Sequence, residues 1–405
     1  MRSGGRALPA VILICCLIGL AIVAGIVGPL SGTGRGTPAA GRRAPDPVVL
    51  TVGSGRCADR IGNLRSGRNT LALQNTGSSP EEVAVLDKDH RYAYAELEMI
   101  APGTSRNLVV VLPPGRFGIS CEADDGTVGY SDPITVTGPA VTGVHRWIPA
   151  THADLANVIS RYRAVVTNGL ERLATDSDNL QTAVDSGDRA TIEKRWLTAH
   201  LDYERLGAAY GTFGDYGALI NGLPDGLPHG VQDPDFTGFH KIEYLLWHDG
   251  SDDQIAGTTR DLDRDVHHLV EAFPQRLTQP NDVPLRTHEI LENTLQFTLT
   301  GQDDLGSHST LATVSASIDG TQMTLRALTP LLQQNDPALL TSAQHAVAGL
   351  DGVLTTLRRP DGSWPAMQSL TGEQRRLLDG TVASTLETLD PIPTELEVLT
   401  TRDDS

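Results

Sequence analysis

The sequence Phe236-Thr-Gly-Phe-His-Lys-Ile-Glu-Tyr-Leu-Leu-Trp247 places a histidine and a glutamate three residues apart at the start of an amphipathic helix. Residues at positions i and i+3 lie on the same helical face, so the His240 imidazole and the Glu243 carboxylate can converge on one cation. The same arrangement builds metal sites inside helix bundles. A second copy, His268 and Glu271, lacks the flanking Thr-Gly-Phe. We therefore predict a metal site at the first copy and a structural role for the second.

The region around this stretch, residues 148–400, is predicted to be an all-α helical bundle. Its apolar residues recur with a spacing near 3.6, and clusters of Gly, Pro and Asp interrupt the periodic segments. Residues 214–236 are rich in these three residue types, and we predict a long irregular loop there, of a length that is often functional. Helices are expected at about 151–184, 188–214, 238–247, 258–277, 284–300, 308–333, 336–357 and 371–388.

Residues 47–138 have the texture of an all-β domain. Short runs rich in β-branched or alternating residues are separated by turn clusters such as Asn75-Thr-Gly-Ser-Ser-Pro80. Strands spaced in this way predict a Greek-key sandwich. The runs are Val48–Val52, Asn69–Asn75, Arg106–Leu112 and Arg116–Cys121, and Pro133–Gly138 closes the domain.

The N-terminus is predicted to direct export. Residues 8–30 contain no charge over 23 positions and follow Arg2 and Arg6, which makes the segment long enough to span a bilayer. We predict that residues 1–30 are an uncleaved signal anchor, with a cleaved signal peptide as the alternative. Residues 31–46 are rich in Gly, Pro, Ala and Thr and are predicted to be a flexible linker.

The charge balance excludes one class of partner. Residues 1–47 contain five Arg and one Asp, so the remaining chain carries 27 basic and 49 acidic residues, a net charge of −22. Such a surface disfavours nucleic acid and favours cations.

Two cysteines, Cys57 and Cys121, lie outside the apolar segment. In an exported domain a pair of cysteines usually forms one disulfide, and thiolate metal ligands are the alternative. A blue-copper centre needs two His and a Cys, whereas His90 is the sole histidine of the predicted sandwich. Type I copper chemistry is therefore not expected.

Five short sequence blocks follow one another along the two regions. The first region contains Glu98-Met-Ile-Ala-Pro-Gly-Thr-Ser105 and Leu112-Pro-Pro-Gly-Arg-Phe-Gly-Ile-Ser-Cys121. The second contains Tyr203-Glu-Arg-Leu206, Phe236-Thr-Gly-Phe-His-Lys-Ile-Glu243 and Leu299-Thr-Gly-Gln-Asp-Asp-Leu-Gly-Ser-His308. Together they resemble the EfeO-type iron-uptake proteins over about residues 47–390. That family joins a cupredoxin-like domain, here 47–138, to an imelysin-type helical domain, here 148–400.

The resemblance implies a set of site residues. His240 and Glu243 match the family's metal motif, and Glu204, Asp215 and Glu292 fall on its acidic positions. Glu96 and Glu98 match acidic residues of a possible auxiliary cation site. Iron, ferric or ferrous, is the expected ligand, with zinc, manganese or copper as alternatives.

The resemblance also implies a function in the cell envelope. We expect an extracytoplasmic protein, tethered by its N-terminal segment or released after cleavage, that captures iron and presents it to a membrane permease. A haem peroxidase of the same uptake system is a further expected partner.

Two other functions remain open from the sequence. The first is a zinc-dependent peptidase, because imelysin-type domains have been classed with peptidases. The chain lacks a His-Glu-x-x-His helix, since His288-Glu289 is followed by Ile-Leu-Glu. The second is an envelope interaction module that has lost its metal.

Overall fold

The computed structural model describes residues 48–53, 56–58, 61–279 and 281–399. Residues 46–405 belong to one compact unit. The predicted signal segment, residues 1–30, and the predicted linker, 31–46, lie outside the described residues. None of the helices in the described ranges has the length and apolar character needed to cross a membrane.

The described residues of the N-terminal domain form ten strands. Alternation of buried and exposed side chains gives each longer strand one face toward the core, as at Leu71 and Leu73, whose side chains are fully buried. The strands are β1 Val48–Gly53, β2 Arg56–Cys57, β3 Leu64–Arg65, β4 Gly67–Asn75, β5 Glu81–Asp87, β6 Ala93–Ile100, β7 Ser105–Leu112, β8 Gly115–Ala123, β9 Val128–Tyr130 and β10 Ile134–Thr137.

These strands form two sheets around a common apolar core. The first sheet has the order β2-β1-β4-β7, in which β1 and β4 are parallel. The second has the order β3-β10-β8-β5-β6, and β9 pairs with β8. The predicted β-rich domain is confirmed, and the finer cupredoxin-like topology stays a prediction.

The predicted disulfide is confirmed. It joins Cys57 on β2 to Cys121 on β8, with the two Cα atoms 5.4 Å apart. Because β2 belongs to the first sheet and β8 to the second, the bond ties the two sheets together.

The C-terminal domain is helical, as predicted. Capping boxes define the starts of three helices. In each, the side chain of Thr151, Ser251 or Thr371 accepts a hydrogen bond from the backbone N–H three residues later. The helices are α1 His152–Ser186, α2 Arg189–Glu204, α3 Tyr210–Phe213, α4 Asp215–Asn221, α5 Gly238–Trp247, α6 Asp252–Ala272, α7 Asp282–Asn293, α8 Thr310–Asn335, α9 Pro337–Thr355, α10 Gly372–Leu389 and α11 Pro391–Glu395.

Helix α8 is the central element of the bundle. It is buried on most of its circumference and packs against α1, α2, α7 and α9. Its buried polar residues are mostly Thr and Ser. The hydroxyls of Ser317, Thr321 and Thr324 each donate a hydrogen bond to the backbone carbonyl four residues earlier. Helix α5, which carries the His-x-x-Glu motif, lies between α2, α4 and α6.

The segment 214–236 is less irregular than predicted. It begins with α4 and contains a short 3₁₀ turn at Gly230–Gln232. The apolar residues Tyr216, Leu219 and Ile220 allow a two-turn helix there, and Ile220 is fully buried. The remaining 222–229 stretch and residues 233–237 are the loop that leads into α5.

The two domains meet along a seam formed by the interdomain linker and the C-terminal segment. Trp147 and Ala93 exchange backbone hydrogen bonds of 3.0 and 3.1 Å, which attach the linker to β6. Trp147 packs with Leu86 of β5 and with Leu399 beyond α11. The segment that follows α11, up to Leu399, therefore contacts the sandwich as well as the bundle.

Candidate metal centre

The start of α5 is held in place by Gly238. This residue has φ +76°, and a Cβ added there would lie 2.2 Å from the carbonyl oxygen of Ile220 at the end of α4. The indole of Trp196 on α2 donates to the carbonyl of Phe239 at 3.0 Å. These two contacts fix the first turn of α5, from which the His240 side chain enters the bundle core.

His240 and Glu243 are buried together, with exposures of 3% and 1%. His240 Nδ1 lies 3.2 Å from Glu243 Oε2. The other oxygen, Oε1, accepts from the backbone N–H groups of Leu305 and Ser307 and from the Ser307 hydroxyl, at 3.0, 3.2 and 2.6 Å. These three donors hold the Glu243 carboxylate in place. A carboxylate bonded to one ring nitrogen orients a histidine so that its other nitrogen can bind a metal.

A second histidine–carboxylate pair lies beside the first. His200 on α2 is 3% exposed, and its ring centroid is 5.3 Å from that of His240. His200 Nε2 lies 3.2 Å from Glu204 Oε1, but the two groups are not aligned as a hydrogen bond, and both ring nitrogens lack a hydrogen-bond partner among the described residues. Asn221 donates to the same Glu204 oxygen at 2.8 Å. A buried imidazole without a partner is costly unless something binds it.

Asp303 completes the group from a loop after α7. A π-helical turn, Thr294–Thr298, extends α7 and places the Thr298 hydroxyl 2.7 Å from Asp303 Oδ2. Such turns are frequent at functional sites. We refer to His200, Glu204, His240, Glu243 and Asp303 as the bundle cluster.

Three groups of the bundle cluster, His200, Glu204 and Asp303, have pKa values shifted by burial and by their neighbours. Burial opposes protonation of His200, but the adjacent Glu204 carboxylate outweighs it and raises the pKa of the ring. Burial favours the neutral form of Glu204, yet the His200 and His240 imidazoles lower the pKa of this carboxyl. Burial raises the pKa of Asp303, and the charge of Glu204 adds to that effect. The pocket therefore stabilises positive charge beside its carboxylates.

The ligand atoms of the bundle cluster do not converge on a single point. Within the described residues, the groups that bring three ligand atoms within 4.8 Å of one another all lie elsewhere. Glu204 also lines a cavity of about 50 Å³, and Arg286 and Glu289, an ion pair on α7, line its other side. Binding a cation in the cluster requires rotation of carboxylate side chains toward the two imidazoles.

Two of the predicted ligands lie apart from the cluster. Asp215 is exposed at the first turn of α4, and none of the hydrogen bonds or ion pairs between described residues links it to His240 or Glu243. The side chain of Glu292 is 40% exposed and contacts His288 and Gln296 on its own helical surface. The acidic residue of α7 that shares a cavity with Glu204 is instead Glu289.

The second His-x-x-Glu copy has the predicted structural character. His268 and Glu271 are both exposed on α6. The flanking Thr-Gly-Phe sequence thus correctly separates the buried copy from the exposed one.

Glu96 of the predicted auxiliary site lies in a cluster of carboxylates at the seam. One oxygen each from Glu82, Glu96 and Glu397 lies within 4.8 Å of the others. Burial, with repulsion between the carboxylates, raises the pKa of Glu82 to about 7, of Glu96 to about 10 and of Glu397 to about 8. Both oxygens of Glu96 are buried and have no hydrogen-bond partner among the described residues. We call these three residues the seam cluster.

Glu98 is exposed and borders the seam cluster. It lines two cavities, of about 310 and 390 Å³, on either side of β6. Its charge contributes to the raised pKa values of the three clustered carboxyls. Glu96 and Glu98 are therefore neighbours but do not form a site alone.

The cysteines offer no thiolate to a metal, because they form the disulfide. His90 lies on the turn between β5 and β6 with φ +53° and stacks on Tyr130. Type I copper binds through a cysteine thiolate, and the disulfide uses both Cys57 and Cys121.

His200 and Asp303 of the bundle cluster were outside the ligand set predicted from the sequence, as were Glu82 and Glu397 of the seam cluster. The i, i+4 spacing of His200 and Glu204 and the Gln302-Asp-Asp304 block were visible signals for the first two. Glu397 is contributed from nearly 300 residues away in sequence, and no local pattern connects it to Glu96.

Comparison with known proteins gives consistent relatives. The model of the imelysin family (peptidase M75) matches residues 158–389. The iron uptake system component EfeO of Escherichia coli O6:H1 is 26% identical over 346 residues, which cover 84% of this chain and 89% of that protein. The protein of the same name from Escherichia coli K12 is 25% identical with the same coverage. A crystal structure of an imelysin-like protein from Psychrobacter arcticum 273-4 matches 62% of this chain and 99% of its own, with a TM-score of 0.48 and 13% identity.

Proposed function

Because this chain belongs to the imelysin family, we propose that it is an exported, iron-binding component of an iron-uptake system that presents its iron to a membrane permease. The relatives named as iron uptake system components support a role in iron uptake, since their similarity covers 84% of this chain. The observation that carries the proposal is the bundle cluster: two buried histidine–carboxylate pairs whose imidazoles lie 5.3 Å apart.

In this proposal each residue of the cluster has a separate task. Glu243, held by the loop that contains Leu305 and Ser307, orients the His240 ring through Nδ1. The opposite ring nitrogen then serves as a ligand. Glu204 and Asp303 supply oxygen ligands, and His200 supplies a second imidazole. Oxygen-rich sites with some imidazole suit iron and manganese, and zinc is the next choice.

Asp215 and Glu292 are left out of the proposed ligand set because of their positions. Asp215 is exposed and Glu292 is half-buried on the surface of α7, and both lie outside the bundle cluster. The seam cluster, with Glu98 at its edge, is proposed as an auxiliary cation site. Its carboxylates are close enough to share one ion, and a cation would relieve their mutual repulsion.

Metal analysis of the purified protein tests the main site. Loaded with ferrous or ferric iron, the wild-type protein is expected to retain iron at the bundle cluster, and the variant His240→Ala/Glu243→Ala is expected to lose it. The matched control is His268→Ala/Glu271→Ala, which removes the same motif from an exposed surface of α6. Equal iron retention by the His240→Ala/Glu243→Ala variant and the wild type would contradict the proposal.

The peptidase alternative gains no support from the site. The Glu289 carboxylate, which would be the base of an incomplete His-Glu motif, forms an ion pair with Arg286. A peptidase needs a free general base beside its metal-bound water.

A further inference from the structure

A third group of potential ligands lies where the interdomain linker crosses the bundle. The linker runs from the end of β10 to the start of α1 and carries His145. Asp336, between α8 and α9, and Glu395, at the end of α11, approach the His145 ring from the bundle. One ligand atom of each residue lies within 4.8 Å of the others. Neither the iron site nor the seam cluster includes any of these three side chains.

The three side chains are held in position by the surrounding structure. His145 Nε2 lies 2.8 Å from Glu395 Oε1, and Nδ1 lies 4.0 Å from Asp336 Oδ2. Asp336 uses its other oxygen to cap α9, accepting from the N–H groups of Ala338 and Leu339 at 2.8 and 2.9 Å. The His145 ring stacks on buried Trp147 at 5.6 Å. Because these side chains are already held in place, they lose little conformational entropy when a ligand binds.

Glu395 provides an independent indication of a ligand. It is 3% exposed, and its Oε2 is buried with no hydrogen-bond partner among the described residues. A buried carboxylate oxygen without a partner is costly unless it is neutralised. The hydrogen bond from His145 satisfies only Oε1, so one buried acceptor remains open inside the group.

We propose that His145, Asp336 and Glu395 form a binding site for a divalent transition-metal cation of the zinc type. A neutral imidazole and two carboxylates balance the charge of such an ion, and this combination of nitrogen and oxygen ligands suits zinc. His145 is 55% exposed, so water can complete the coordination shell.

The proposed site has a structural consequence for the two domains. Trp147, two residues from His145, is attached to β6 by two backbone hydrogen bonds. A cation on His145 would attach the same linker to α11 and to the start of α9. With the ion bound, the linker is attached to both domains, through the Trp147 backbone to the sandwich and through His145 to the bundle.

Zinc stoichiometry measured by calorimetry on the full chain tests the proposal. We expect His145→Gln to bind one zinc ion fewer than the wild type, or to bind that ion at least ten-fold more weakly, whatever is bound at the bundle cluster. His240→Gln is expected to leave this ion in place, so failure of the iron site and failure of this site are distinguishable. Since the His145 side chain is mostly exposed, its replacement leaves the core intact.

The matched control is His267→Gln. His267 lies near Asp178 and Asp263 in a group with the same ligand types on the surface of α1 and α6. Loss of zinc with His267→Gln and not with His145→Gln would overturn the proposal. Unchanged zinc binding in both variants would also overturn it and leave the His145 group as a salt bridge only.

Limited proteolysis gives a second measurement. Trypsin can cut after Arg146, which is exposed in the linker. Zinc is expected to slow this cleavage several-fold in the wild type and to have no effect in His145→Gln. Equal protection of both proteins by zinc would contradict the proposed position of the ion.

Discussion

Gly238 is the residue on which the position of His240 depends most directly. Its φ of +76° and the Ile220 carbonyl, 2.2 Å from any added Cβ, leave no room for a side chain. We expect Gly238→Ala to reduce the free energy of unfolding by about 2 kcal/mol or more, because the strain and the clash add. Urea unfolding followed by circular dichroism measures the change.

The matched control for that substitution is Gly257→Ala. Gly257 lies within α6, and an added Cβ would contact nothing within 4 Å. Alanine has the higher helix propensity, so a small gain of about 0.5–1 kcal/mol is expected there. Equal effects at the two positions would contradict the role assigned to Gly238.

Ser307 is predicted to hold the Glu243 carboxylate in its orientation toward His240. Its hydroxyl donates to Glu243 Oε1 at 2.6 Å, the shortest of the three bonds that this oxygen accepts. Ser307→Ala is expected to cost about 1–3 kcal/mol of stability, since it removes a donor from a buried carboxylate. It should also weaken iron binding, because the His240 ring loses part of its support. Ser369→Ala, an exposed serine that donates to a nearby carbonyl, serves as the control.

His200 is predicted to make cation binding pH-dependent. Its pKa is raised in the metal-free protein, chiefly because the Glu204 carboxylate outweighs the effect of burial. Protons therefore compete with the cation, and affinity should fall as the pH is lowered through that pKa. Iron or manganese affinity measured between pH 7.5 and 5.5 checks this. His200→Gln should flatten the dependence, and an unchanged slope would argue against His200 as a ligand.

The site residues differ in how far the sequence could identify them. His240 and Glu243 were predictable because both lie on one helical turn, where spacing fixes relative position. Asp215 and Glu292 were placed by similarity in sequence, which does not fix the rotation of their helices. Asp303 comes from a loop folded back on α5, and only the tertiary structure brings its carboxylate to the imidazoles.

At the scale of elements, the long helices were predictable, whereas two long strands and three short ones were not. The starts of α1, α5 and α10 lie within one residue of the predicted positions, because apolar periodicity indicates all three and capping boxes define α1 and α10. Strands β5 and β6 were missed because their sequences, Glu81–Asp87 and Ala93–Ile100, carry glutamates that disfavour strands. Of those glutamates, Glu82 and Glu96 belong to the seam cluster and Glu98 borders it.

The disulfide acts between elements, since it joins β2 to β8 across the two sheets. It closes a loop of 64 residues, and by chain entropy its removal should cost about 4 kcal/mol of stability. We expect Cys57→Ser/Cys121→Ser to unfold at lower urea concentration, while the helical domain keeps its far-ultraviolet circular dichroism. Identical unfolding midpoints for the variant and the wild type would contradict this expectation.

For the whole molecule, the C-terminal segment determines how the two domains are joined. Within five residues it supplies Glu395 to the linker group, Glu397 to the seam cluster and Leu399 to the apolar contact with Trp147. Each residue contacts a different part of the chain. Changes in charge at this seam should therefore affect the stability of the whole chain rather than that of one domain.

The seam cluster predicts that metal-free protein loses stability as the pH rises. Glu96 has a pKa of about 10 when folded and an ordinary value of 4.5, so between these values the folded state retains a proton that the unfolded chain releases. The free energy of unfolding should therefore be lower at pH 8.5 than at pH 5.5, as measured by urea unfolding in a chelating buffer. Glu96→Gln should reduce this difference, whereas Glu373→Gln on the exposed first turn of α10 should not. An undiminished pH dependence in Glu96→Gln would show that Glu96 is not the group that retains the proton in the folded state.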